Sequence, residues 1–185
     1  GERLSEVKAA ERFNCSRNTL RESFTRLAAE RIVERIPNRG VFLAMPDADY
    51  IRDLFAARAA IEPAAVRWGA FPDAPSLVTL TSSAFDYAAR GEHQEVSAIN
   101  QRFHRTLVAA LGSPTLNEQM ENLLARMRLT FLLAIPRYPQ LHADHIQGNI
   151  TLATLIADGK RLEAATLSHD SLMNTCEKIL AVLDD

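Results

Sequence analysis

This sequence lacks several features that would settle its class at once. Among its 185 residues there are two cysteines, Cys15 and Cys176, far apart and outside any CxxC pair. That spacing gives no disulfide framework, and the pair reads as reduced thiols in a cytoplasmic protein. No apolar run approaches the roughly 20 residues that span a bilayer. The opening GERLSEVKAA has no apolar core of the kind a secretion signal carries. There is no glycine-rich phosphate loop, no nucleophile–base arrangement, no internal repeat and no low-complexity tract. No glutamate stands three residues before a histidine, the pairing that helical-bundle di-metal enzymes use. An enzyme is therefore not expected.

What is present suits a folded chain: 47% hydrophobic and 24% charged residues exclude disorder. The length allows one ordinary domain or two small ones. The net charge of −2 conceals an asymmetry. Residues 1–45 carry nine Lys/Arg against six Asp/Glu, and residues 46–185 carry twelve against seventeen. A basic front segment is compatible with nucleic acid, although charged faces are usually just solvated.

The hydrophobic rhythm divides the chain at the same place. Ser5 can cap a helix through EVKAAERFN, Asn14-Cys15 makes a break, and Ser16 can cap a second helix, RNTLRESFTRLAAER. Leu20, Phe24, Leu27 and Ala28 recur at helical spacing, leaving Arg17, Asn18, Arg21 and Thr25 on the other face. IVERIP, the polar turn NRG and VFLAM then read as a β-hairpin. Helix, turn, helix, hairpin is the order of a winged helix-turn-helix. From Asp49 no strand is expected. DYIRDLFAARAAIEPAAVRWGA reads as a long amphipathic helix, followed by helices over 76–90, 94–112, 115–135, 140–157 and 160–183. Short loops favour antiparallel neighbours, so the expected fold is mainly α: a winged helix-turn-helix at 1–45, a linker at 46–49 and an antiparallel six-helix bundle over 50–185.

The second helix has the chemistry of a DNA reader. Ser16, Arg17, Thr19 and Arg21 place a small polar start beside long donors, and arginine can bridge two acceptors of guanine. Asn38, Arg39 and Gly40 fit a wing tip, with Arg39 able to enter a minor groove. The plainer alternative is a solvated helix with scattered arginines.

The stretch RLSEVKAAERFNCSRNTLRESFTRLAAERIVERIPNRGVFLAMP resembles the DNA-binding domain of GntR-type bacterial transcription regulators. The likeness rests on Leu4, Ser5, Glu6, Ala10, Ser16, Arg17, Leu20, Arg21, Glu22, Leu27, Gly40 and Phe42. The family begins with a further helix that has no counterpart before Gly1, so the winged helix is expected to be incomplete at its start. By resemblance, Arg17 and Arg21 are the prime DNA contacts, supported by Ser16, Thr19, Asn38, Arg39 and Gly40.

FAARAAIEPAAVRWGA, NQRFHRTLVAALGSPTL and LIADGKRLEAATLSHDSL resemble the FCD-type ligand-binding domain of the FadR-like branch. Such domains usually hold a divalent metal through an acidic or amide residue, a histidine one turn later and two more histidines on the last helices, with a carboxylate effector completing the site. On that pattern Asn100 and His104 fill the first two positions, and the turn at Gly159 puts the others at Asn149 and Ser171. Neither is a histidine. His145 is out of register, and His169 lies roughly 200° round the helix from Ser171. One imidazole with amides and a hydroxyl is a poor cage for zinc or nickel. Two readings stay open: a weak metal site at Asn100 and His104, or a pocket that binds the effector directly. In the second, Arg58 of the Arg58-x-x-x-Glu62 element meets a carboxylate, unless it is spent on Glu62 itself. His93, His142, His145 and His169 are expected at the surface or between helices.

The resemblance implies a cytoplasmic, homodimeric transcription regulator, more often a repressor, with operator DNA and a small organic acid as partners. The alternative from another class is a helical-bundle metal-binding protein or enzyme with no DNA role. A structural dimer module whose DNA-binding half no longer functions is a third.

Overall fold

The computed structural model describes residues 1–184, the side chains of His142, Ala143 and Asp184 excepted. Two serines start the N-terminal unit. Ser5 accepts a hydrogen bond from the Lys8 amide at 3.3 Å and opens α1 (Glu6–Arg12); Ser16 accepts from the Thr19 amide at 3.1 Å and opens α2 (Arg17–Ala29). Each satisfies one amide that a helix start otherwise leaves orphaned. Asn14, between them, turns the chain through the left-handed region at φ 48°, which asparagine tolerates better than most residues.

A three-stranded antiparallel sheet completes the unit: β1 (Arg3–Leu4), β2 (Val33–Ile36) and β3 (Gly40–Leu43), in the order β1-β3-β2. The sequence predicts only the β2–β3 hairpin. β1 is too short to show a period and exists through its partner, with Arg3 opposite Phe42 and Leu4 opposite Val41. Ala10, Leu20, Phe24, Val33 and Val41 are buried together as the core of this unit. Truncating a buried phenylalanine such as Phe24 to alanine costs about 3–5 kcal/mol. Between α2 and β2, Arg31 sits at φ 59°. That conformation costs a residue with a Cβ about 1–2 kcal/mol.

Six helices follow: α3 (Ala48–Trp68), α4 (Ala74–Ala89), α5 (His93–Ala109), α6 (Pro114–Ala134), α7 (Leu141–Ala157) and α8 (Arg161–Asp184). Asp47 caps α3 by accepting from the Tyr50 amide at 2.8 Å. The helix thereby takes in Ala48 and Asp49 of the expected linker at 46–49. α8 packs along α3, and α4 packs against α5 and α7. Ile51, Leu54, Phe55, Met120, Leu124, Met127, Leu172, Cys176 and Ile179 form the main apolar core of the bundle.

The end of α3 is locked to the end of α5. A Cβ on Gly69 would lie 2.8 Å from the Ala110 Cβ, and the Ala70 amide donates to the Ala110 carbonyl at 2.8 Å. Only glycine allows that approach. The joint fixes Arg58 and Glu62 of α3 against His104 of α5.

Candidate DNA-reading face and effector pocket

The N-terminus of α2 is exposed and tightly capped. Besides accepting from the Thr19 amide, the Ser16 hydroxyl shares a 2.9 Å hydrogen bond with the Thr19 hydroxyl. Arg17, the first helical residue, has no partner among the described residues and is exposed. A helix start with its free amides and positive dipole end favours phosphate. Arg21 is differently placed: its Nε donates to Glu6 Oε2 at 3.0 Å, so α1 holds it while DNA is absent. At the wing, Asn38 turns at φ 60° and Gly40 at φ 109°, with the Arg39 guanidinium 5.9 Å from the centre of the Phe42 ring.

Two arginines at this face escape sequence reasoning. Arg3 of β1 lies over the wing, its Nε 3.4 Å from where a Gly40 Cβ would be. Arg35 of β2 donates to the Thr25 hydroxyl at 3.0 Å and so ties the wing to α2. No local pattern signals either, because both positions depend on strand pairing.

In the bundle, Arg58, Asn100, His104, Asn149 and Ser171, drawn from α3, α5, α7 and α8, line one cavity of about 110 Å³. Its apolar walls include Phe55, Met127, Phe131 and Leu172. Beneath it lies a buried ionic chain. Arg58 Nε donates to Glu62 Oε1 at 2.7 Å, and His104 Nδ1 meets Glu62 Oε2 at 2.6 Å. Burial alone would push the Glu62 carboxyl up; the Arg58 guanidinium and the hydrogen-bonded His104 ring outweigh it and bring it to about 2.

The expected Arg58–Glu62 pair is thus real, but it uses only part of the guanidinium. Nη1 points at the Met127 sulfur at 2.7 Å, and Nη2 is buried with no hydrogen-bond partner among the described residues. An unmatched charged donor inside a protein costs more than an ordinary lost hydrogen bond. It is also the group that an incoming anion would satisfy.

The residues at the expected metal position do not fit a tightly held cation. Asn100 Oδ1 accepts from Asn149 Nδ2 at 2.7 Å, so two of the four candidate ligands bind each other. His104 has only Nε2 left once Nδ1 is engaged by Glu62. Among the described residues no three His, Cys, Asp or Glu side chains are grouped so as to hold a metal. A borderline cation such as zinc or nickel needs more imidazole or thiolate than this.

The other histidines divide. His93 opens α5, and His169 is exposed beside Asp170. The His142 side chain lies outside the described residues. His145, expected at the surface or between helices, lines the cavity and stacks on Phe131 at 5.6 Å between centroids.

A capped, arginine-bearing helix beside a wing, carried on a helical bundle with a cavity lined by both polar and apolar side chains, is the architecture of a DNA-binding regulator. The comparisons agree. Bacterial regulatory proteins of the gntR family match residues 1–43, and the FCD domain matches residues 53–173. Among curated relatives, the Nta operon transcriptional regulator of Aminobacter aminovorans is 25% identical over 186 positions, covering 99% of this chain and 87% of that protein. A solved GntR transcriptional regulator from Rhodococcus sp. RHA1 is 27% identical with a TM-score of 0.83, covering 97% of this chain and 87% of that one. Escherichia coli McbR/YncC superposes with a TM-score of 0.84 over 100% of this chain and 89% of its own, at 19% identity, which shows the fold alone.

The chain belongs to the GntR family of bacterial regulatory proteins, with an FCD domain following its winged helix. It is a DNA-binding transcription regulator and not an enzyme, which overturns the alternative of a bundle enzyme with no DNA role. Among the described residues no helix is long and apolar enough to cross a membrane.

Proposed function

We propose that the protein is a cytoplasmic homodimeric repressor whose grip on operator DNA is set by a small organic acid held directly in the FCD pocket, without a resident metal. The observation that carries this is Arg58 Nη2: a buried cationic donor, unpartnered among the described residues, on the wall of a cavity of about 110 Å³. A carboxylate oxygen matches it, and the planar guanidinium suits such an acceptor. Asn100, His104, Asn149 and Ser171 supply further donors and acceptors around the same space. The Asn100–Asn149 bond fills the place where a metal would otherwise bring α5 and α7 together. A dimer follows from the need to read two half-sites, with Arg17 and Arg21 at the base edges or phosphates and Ser16, Thr19, Asn38, Arg39 and Gly40 setting register. The acid acts by favouring one placement of the winged domains over another, for which a difference of about 1–3 kcal/mol suffices.

The test is a thermal-shift series on protein dialysed against chelator, with lactate, pyruvate, benzoate and succinate compared against chloride at equal ionic strength. A true ligand at about a hundred times its Kd adds about 2.7 kcal/mol of stability. Arg58→Gln is expected to abolish the response. A carboxylate response that survives Arg58→Gln, or one that appears only with added zinc or nickel, refutes direct binding.

A further inference from the structure

One polar cluster serves neither the DNA-reading face nor the pocket. Asp53 Oδ2 accepts from Arg31 Nη1 at 2.8 Å and from Arg126 Nη2 at 2.7 Å. Both guanidiniums lie against the buried Tyr50 ring, at 4.9 and 4.5 Å from its centre. The Tyr50 hydroxyl donates to the Arg31 carbonyl at 3.1 Å, and Arg126 Nη2 also reaches the Tyr50 carbonyl at 3.4 Å. One turn earlier on α6, Asn122 Nδ2 donates to the Glu30 carbonyl at 2.9 Å. The turn after α2, the first turns of α3 and the middle of α6 are joined here, so the winged helix is tied to two helices of the bundle.

The backbone of Arg31 points the same way. Among the described residues it is one of three non-glycine residues with positive φ, and the other two are asparagines. Asparagine tolerates that region, whereas an arginine there carries strain that glycine would not. What arginine supplies and glycine cannot is the side chain that reaches Asp53.

We infer that Arg31, Asp53, Tyr50 and Arg126 are positioning residues that hold the winged helix in one orientation on the bundle, and thereby set the half-site spacing the regulator accepts. The effect on spacing rests on the proposed dimer; the orientation does not. A short linker alone permits the winged helix to swivel about the bonds between β3 and α3. The Asp53 bridge removes that freedom from outside the linker, and the Tyr50 ring packs against both guanidiniums that share the Asp53 carboxylate.

The experiment uses the full chain with three variants: Arg31→Gly, Asp53→Asn and Asp53→Glu. Thermal unfolding, amide exchange over residues 44–53, light scattering, and selection of operator from half-sites separated by graded spacers are read on each. Arg31→Gly relieves backbone strain, so a merely structural role predicts equal or higher stability and no other change. The positioning role predicts equal or higher stability together with exchange about tenfold faster over residues 44–53 and a broadened spacer preference. Asp53→Asn gives the same faster exchange and broadened spacer preference at some cost in stability, because Arg126 loses its counter-charge, and Asp53→Glu restores most of the wild-type selectivity. Wild-type exchange in both Arg31→Gly and Asp53→Asn overturns the inference. If light scattering shows a monomer, the dimer and the effect on spacing fall together, and amide exchange alone judges the orientation.

Discussion

Replacing Glu62 by glutamine changes one atom and removes one charge. Glu62 is fully buried, and its two oxygens engage Arg58 at 2.7 Å and His104 at 2.6 Å. With the carboxylate gone, the Arg58 guanidinium keeps its charge at 2% exposure and loses the carboxylate it is bonded to. Removing one member of a buried ion pair costs about 3–5 kcal/mol, chiefly because the other charge stays behind. For a chain of this size that corresponds to a fall in Tm on the order of 10 °C. Calorimetry or urea unfolding of Glu62→Gln reads it directly. Two controls isolate the cause. Arg58→Met with Glu62→Leu removes both charges and is expected to recover to within about 1 kcal/mol of wild type, since a packed apolar pair can replace a buried ionic one. Added acetate is expected to restore part of the Glu62→Gln loss, because the stranded guanidinium faces the cavity, and none in the double variant. A Tm for Glu62→Gln within about 2 °C of wild type would falsify the claim that this carboxylate neutralises the pocket floor.

The same group sets an acid limit. Its carboxyl is at about 2 in the folded protein against an ordinary value of 4.5, so its stabilisation is complete above about pH 4.5 and is lost as the pH falls toward 2. An unfolding series across that window in wild type and Glu62→Gln should converge at the acid end; parallel curves contradict the assignment. On the DNA side, Arg21→Ala is expected to weaken operator binding by about 1–3 kcal/mol if it reads a base, with gel-shift affinity at physiological salt as the measure. Arg17→Ala, if it contacts phosphate, should weaken all sequences alike and reduce the salt slope by about one. Elemental analysis of freshly purified protein is expected to find metal well below one per chain, and one tightly held zinc or nickel would restore the metal reading.

Much of this architecture could be read from local pattern. Ser5 and Ser16 announce their helices, and Leu20 and Phe24 fall on the buried face where helical spacing puts them. Arg58, Asn100, His104, Asn149 and Ser171 do line one cavity, because their spacing keeps a helical register that the resemblance could align. What stayed hidden depends on contacts between distant parts of the chain. β1 is two residues that mean nothing without β3. His145, expected at the surface or between helices, lies between them, and its stacking on Phe131 of α6 depends on a distant part of the chain. Arg58 posed a choice between Glu62 and a ligand, and only three-dimensional packing shows that one guanidinium nitrogen serves the glutamate while Nη2 has no hydrogen-bond partner among the described residues. The Arg31–Asp53–Arg126 cluster has no sequence signature because its members come from three separate parts of the chain.

Helix α6 touches both the pocket and the domain junction, and the separation between the two contacts is short. Met127 and Phe131 face the cavity, while Arg126 and Asn122 hold the winged helix side. From Met127 back to Asn122 is about 7.5 Å along a helix axis. On the proposed effector reading, a signal from the pocket would need no chain of relayed contacts: one helix borders the cavity at one point and the domain junction a turn and a half away. Substitutions that silence the response while sparing both binding events should accordingly crowd onto one stretch of α6, between Asn122 and Phe131, and leave α4 and α7 nearly clean.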